Sequence, residues 1–127
     1  MELYIGGYAQ GKLAYVLRRT GYRIEDVMDG GKEEIQYEQG NKKVINNFHE
    51  WFRRTIQKEE MPEEMVERML AEHPDMIIIG NEIGNGIVPM DEVEREYRER
   101  LGRCLCEIAG KADKVERIIC GLGQRIK

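Results

Sequence analysis

The chain has 127 residues, with 20 Lys plus Arg against 24 Asp plus Glu and a formal net charge of −4. This balance argues against a general phosphate-neutralising nucleic-acid binder. With 41% hydrophobic and 35% charged residues, the composition is neither that of a disordered chain nor that of a membrane-embedded one. The length suits a single domain spanning residues 1–127. The longest apolar run, residues 76–79, is far too short to span a bilayer. The first residues, MELYIGGYAQGK, lack the pattern of a secretory signal, and three cysteines are an odd number, so a reducing cytoplasm is the expected location.

In chain order, Leu3, Tyr4 and Ile5 read as a strand cut off by Gly6-Gly7. A helix follows Gly11, with Leu13, Val16 and Leu17 at core spacing, Arg18-Arg19 in its last turn and Thr20-Gly21 at its end. Residues 23–28 read as a strand, which the Asp29-Gly30-Gly31 turn is expected to fold back as a hairpin onto residues 34–37. Residues 43–47 form the next strand and run straight into a helix carrying Phe48, Trp51, Phe52 and Ile56. Pro62 opens another helix with Met65, Val66, Met69 and Leu70 on one stripe, stopped at His73-Pro74. Residues 76–79 (Met-Ile-Ile-Ile) read as a strand covered on both faces. After a loop over residues 80–89, Asp91 and Glu94 mark a capped helix start. Val93, Tyr97, Leu101, Leu105 and Ile108 trace its apolar face as far as Gly110. Residues 115–120 form the last expected strand, followed by an extended tail. Strands alternating with helices imply an α/β fold with a mainly parallel sheet and helices on both faces.

The segment Gly6, Gly7, Tyr8, Ala9, Gln10, Gly11, Lys12 satisfies G-x-x-x-x-G-K between a strand and a helix, the context of a phosphate-binding loop. Glycines let successive amides turn inward on a phosphate, the helix N-terminus adds positive potential, and Lys12 can reach the terminal phosphates. Leu13 stands where the loop usually carries a Mg²⁺-ligating hydroxyl. A plain strand–turn–helix junction would show the same glycines. Glu82, at the carboxyl end of the strand over residues 76–79, faces the same crevice as a candidate metal-side carboxylate or general base. The alternative for it is a polar turn. Asn46-Asn47 ends the preceding strand where an Asp would hold the metal's water shell. No set of metal ligands emerges: His49 reads as a surface or capping residue, His73 as a helix stop, and Cys104 and Cys106 point apart on their helix.

Several strings together resemble the adenosylcobinamide kinase / adenosylcobinamide-phosphate guanylyltransferase family. They are Ile5-Gly6-Gly7 with Gly11-Lys12, Asn81-Glu82-Ile83-Gly84-x-Gly86-Ile87-Val88-Pro89, Tyr97-Arg98, Leu101-Gly102-Arg103 and the ending from Ala112-Asp113 to Ile126-Lys127. The resemblance implies a three-layer P-loop (RecA-like) fold and a homo-oligomer. It implies ATP or GTP as the nucleotide, and phosphoryl then GMP transfer to a corrinoid, with Lys12 and Glu82 as catalytic candidates. The departures are Gln10 and Leu13 for serines, Asn46 for an Asp, His49 for a Thr, and a middle segment too short for the histidine that accepts GMP. Leu13 and Asn46 both remove Mg²⁺ ligation. The guanylyltransferase half therefore reads as lost. Two readings of the rest stay open: a kinase, or a non-catalytic relative that binds nucleotide, a corrinoid or another subunit.

Overall fold

The computed structural model describes residues 1–34, 42–82 and 91–127. Among them are strands β1 (Glu2–Gly6), β2 (Val27–Asp29), β3 (Val44–Asn46), β4 (Ile77–Asn81), β5 (Lys114–Ile119) and β6 (Leu122–Arg125), and helices α1 (Lys12–Thr20), α2 (Phe48–Gln57), α3 (Pro62–Glu72) and α4 (Glu92–Lys111). The sheet order is β2-β3-β4-β1-β5-β6. The first five strands run parallel and β6 antiparallel to β5.

Period-two alternation sorts the central strands into two cores. Leu3, Ile45, Ile78 and Val115 face α2, α3 and α4, packing with Trp51, Phe52, Met69 and Leu101. Tyr4, Val44, Ile77, Ile79 and Ile118 face the other way, onto Tyr15 and Val16 of α1. The result is the expected three-layer α/β fold, with β4 covered on both faces as its isoleucine run requires. Phe48, Trp51 and Phe52 are fully buried, and truncating a side chain of that size to alanine costs about 3–5 kcal/mol. Two forked ion pairs tie the helices of this layer together: Arg53 to Glu94 at 2.7 and 2.8 Å, and Arg100 to Glu63 at 2.8 and 2.9 Å.

Three local expectations change. Residues 24–26 form a 3-10 turn, so only the end of the expected strand over residues 23–28 is β2. β2 lies parallel to β3; Glu34 is in no strand, and the rest of the expected hairpin arm, residues 35–37, lies outside the described residues. The Gly30 amide instead donates to the Asn46 carbonyl at 2.8 Å. A Cβ on Gly30 would come within 2.6 Å of the Asn47 carbonyl oxygen and 2.8 Å of Trp51 Cβ, so this glycine serves the close approach of β2 to α2. α4 runs one residue past Gly110, from an N-cap in which Asp91 accepts from the Val93 amide at 2.8 Å. The tail is β6: Cys120 and Gly121, with φ of 50° and 74°, make a two-residue turn back onto β5. Among the described residues, no helix is long and apolar enough to cross a membrane.

Candidate functional site

β1 ends at Gly6, and the chain turns into α1 through Ala9 at φ 54° and Gly11 at φ 79°. Gly11 is the N-cap of α1 and offers no side chain to it, so the first-turn amides keep their donors and the positive end of the helix for an external anion. Lys12 is 9% exposed, and its Nζ donates to the Gly7 carbonyl at 2.7 Å. Burial pushes its ammonium below the usual lysine range, and the nearby Glu82 carboxylate offsets part of that shift. Gln10 braces the loop against the β5–β6 turn: its carbonyl accepts from the Gly121 amide at 2.8 Å and its Oε1 from the Cys120 amide at 2.7 Å. Tyr8 is exposed at the tip.

A pocket of about 300 Å³ separates this loop from the β3–α2 junction, with Lys12 on one wall, Asn46, His49 and Glu50 on the other, and Asn81 between them. Its residues thus come from the carboxyl ends of β1, β3 and β4 and from the helices that follow, the edge where open parallel sheets place ligands. Leu13 also lines the pocket while packing against the α1-side core. Asn47, the N-cap of α2 at φ 55°, sends its side-chain amide to Asp29 Oδ1 at 3.1 Å. Neither Leu13 nor Asn46 suits Mg²⁺: one is a hydrocarbon and the other a neutral amide. Among the described residues, no group of three or more His, Cys, Asp or Glu could hold a metal ion.

Glu82 follows β4, donates its amide to the Gly6 carbonyl at 2.9 Å, and receives Arg117 Nε on Oε1 at 2.6 Å. The rest of the loop that it opens, residues 83–90, lies outside the described residues. His49 departs from its expected surface or capping role. Its side chain is only 12% exposed, and Nδ1 accepts the Asn81 amide at 3.1 Å. Its place in the first turn of a helix that leaves the carboxyl edge of the sheet was the available signal.

A family model described as cobinamide kinase / cobinamide phosphate guanyltransferase matches residues 25–126. The chain belongs to this family. The match begins beyond the phosphate loop, whose assignment rests on residues 6–13 themselves. The chain is also similar to the bifunctional adenosylcobalamin biosynthesis protein CobU of Salmonella typhimurium, at 36% identity over 52 residues, and to its namesake in Escherichia coli, at 35% over 52 residues. Each alignment takes in 41% of this chain and 29% of the relative, so the chain matches less than a third of the length of these curated family members.

Proposed function

We propose that the chain binds a purine nucleoside triphosphate, ATP or GTP, in the pocket between the phosphate loop and the β3–α2 junction, as a nucleotide-binding member of its family acting in corrinoid metabolism. The carrying observation is that Lys12 and the uncapped start of α1 border the same 300 Å³ pocket as Asn46. In this reading the amides of Gly7, Tyr8, Ala9, Gln10 and Gly11 cradle the phosphates, and Lys12 leaves the Gly7 carbonyl to meet the terminal one. The guanylyltransferase half is lost, because the segment that carries the GMP-accepting histidine in the family is too short here. Leu13 and Asn46 deprive the site of two magnesium contacts, which weakens catalysis more than binding. The protein is cytoplasmic and works as a homo-oligomer of single nucleotide-binding domains.

One observation favours a catalytic reading: Glu82 is held close enough to Lys12 to bear on its ammonium. In that case the terminal phosphoryl group passes to the cobinamide hydroxyl, Glu82 accepts the hydroxyl proton, Lys12 stabilises the transferred group, and the nucleoside diphosphate leaves.

Calorimetric titration of ATP and GTP, with and without Mg²⁺, tests the binding reading. The expected result is binding that changes by less than about twofold with Mg²⁺ and weakens about tenfold or more in Lys12→Ala, the loss of one charge-assisted contact. Turnover of cobinamide with either nucleotide overturns the binding-only view. An absence of nucleotide binding removes the reading altogether.

A further inference from the structure

We propose that His49 is a fixed hydrogen-bond donor to the phosphates of the bound nucleotide, standing on the wall opposite Lys12. The proposal rests on the nucleotide reading above and deepens it. A backbone amide always donates, so the bond from the Asn81 amide to Nδ1 at 3.1 Å requires a lone pair on Nδ1. The proton of the neutral ring must then sit on Nε2. The Tyr97 hydroxyl, reaching over from α4, donates to the His49 carbonyl at 3.0 Å and holds the residue's backbone as well. Ring and backbone are thus pinned from β4 and α4, and His49 is one of the residues lining the pocket.

Three charged groups bear on the ring. Glu50, on the same helix, places a carboxylate oxygen 3.7 Å from Nε2, too long for a hydrogen bond, and its own side chain is 53% exposed and able to swing away. Lys12 from α1 and Arg53 further along α2 both disfavour a cationic imidazole. Burial is the largest influence and acts in the same direction. Protonation would also sacrifice the Asn81 bond, so the ring stays neutral at and above neutral pH.

A neutral ring with Nδ1 occupied offers no free nitrogen to a phosphorus atom. His49 in this arrangement is therefore neither the nucleophile of a guanylyl transfer nor a general base. What it offers is an N–H at the place where the pocket lacks a metal-binding carboxylate: Asn46, three residues earlier, is an amide. An N–H donor to a phosphate oxygen makes a charge-assisted contact without any cation.

The test is Mg²⁺-free calorimetry with inorganic tripolyphosphate and with GTP, on the wild type, Lys12→Ala, His49→Ala and His49→Gln. His49→Ala should weaken both ligands about tenfold, and His49→Gln, whose amide can donate in place of Nε2, should stay within about threefold of wild type. The His49→Ala deficit should not change between pH 7 and 8.5, because the donated proton belongs to the neutral ring. Nitrogen NMR of the wild type should show Nε2 protonated, with its signal moving on addition of tripolyphosphate. Wild-type-like binding by His49→Ala, while Lys12→Ala is weakened, overturns the role of His49 and leaves the nucleotide reading standing. A deficit that fades as pH rises means a cationic contact and overturns it too. Should His49→Ala fail to fold, an Nε2 signal unmoved by tripolyphosphate overturns the role of His49 in its place. A wild type that binds neither ligand removes both readings together.

Discussion

Nε of Arg117 lies 2.6 Å from Oε1 of Glu82, so the carboxylate just past β4 is bound to β5 with β1 between them in the sheet. Lys12, Glu82 and Arg117 thus alternate in sign around the point where the phosphate loop leaves β1. Arg117 thus occupies one of the two carboxylate oxygens of Glu82.

Because Arg117 is 41% exposed, solvent screens much of this pair. A double-mutant cycle with Glu82→Gln and Arg117→Ala should give a coupling of about 0.5–1 kcal/mol in urea unfolding, falling as salt is raised. A coupling that is absent at low salt would show that the two side chains do not depend on each other.

Gly30→Ala forces a methyl group against the Asn47 carbonyl oxygen and Trp51 Cβ, neither of which has room to yield. The expected loss is about 2–4 kcal/mol, measured as a lower urea midpoint at unchanged slope. The same change moves the start of α2, so on the proposed nucleotide-binding reading affinity for ATP or GTP should weaken as well. Gly102→Ala, inside α4 at a site where a Cβ meets nothing within 4 Å, is the control and should raise stability by about 0.5–1 kcal/mol.

The forked bond from Arg100 holds the Glu63 carboxyl below the usual glutamate range, and partial burial opposes this only in part. A depressed folded-state value means that the pair contributes fully above the unfolded value of about 4.3 and is lost as pH falls through the folded one. Thermal melts of the wild type should therefore drop between pH 5 and pH 3. Glu63→Gln should start lower at pH 7 and show a shallower drop over the same window. Parallel curves for the two proteins would mean that α3 and α4 are held together without this pair.

Much of the fold was legible because it is written in local patterns. The isoleucine run of β4 announces burial on both faces, and Phe48, Trp51 and Phe52 at helical spacing announce the inner face of α2. Asp91 is the helix cap it promised to be. What escaped depends on partners distant in the chain. β6 (LGQR) is exposed throughout and shows no alternation, so only its pairing with β5 makes it a strand. Val93 sits on the apolar period of α4 yet is 69% exposed, since the first turn overhangs the core. The close contact of Gly30 with the Asn47 carbonyl and Trp51 of α2 could not be read from the sequence either. The G-x-x-x-x-G-K spacing of residues 6–12 is legible in the sequence, but the hydrogen bond that His49 accepts from the Asn81 amide is not. That bond depends on the strand order that brings β3 beside β4 and so carries the Asn81 amide to the ring.

The two bonds from the β5–β6 turn to Gln10 mean that the glycine-rich loop between β1 and α1 is splinted by the far end of the chain. The side-chain amide of Gln10 is long enough to reach across and hold that splint. The shape of the loop is thereby set jointly by residues more than a hundred positions apart, and a protein truncated after Ile119 would keep every loop residue while losing the frame that shapes them.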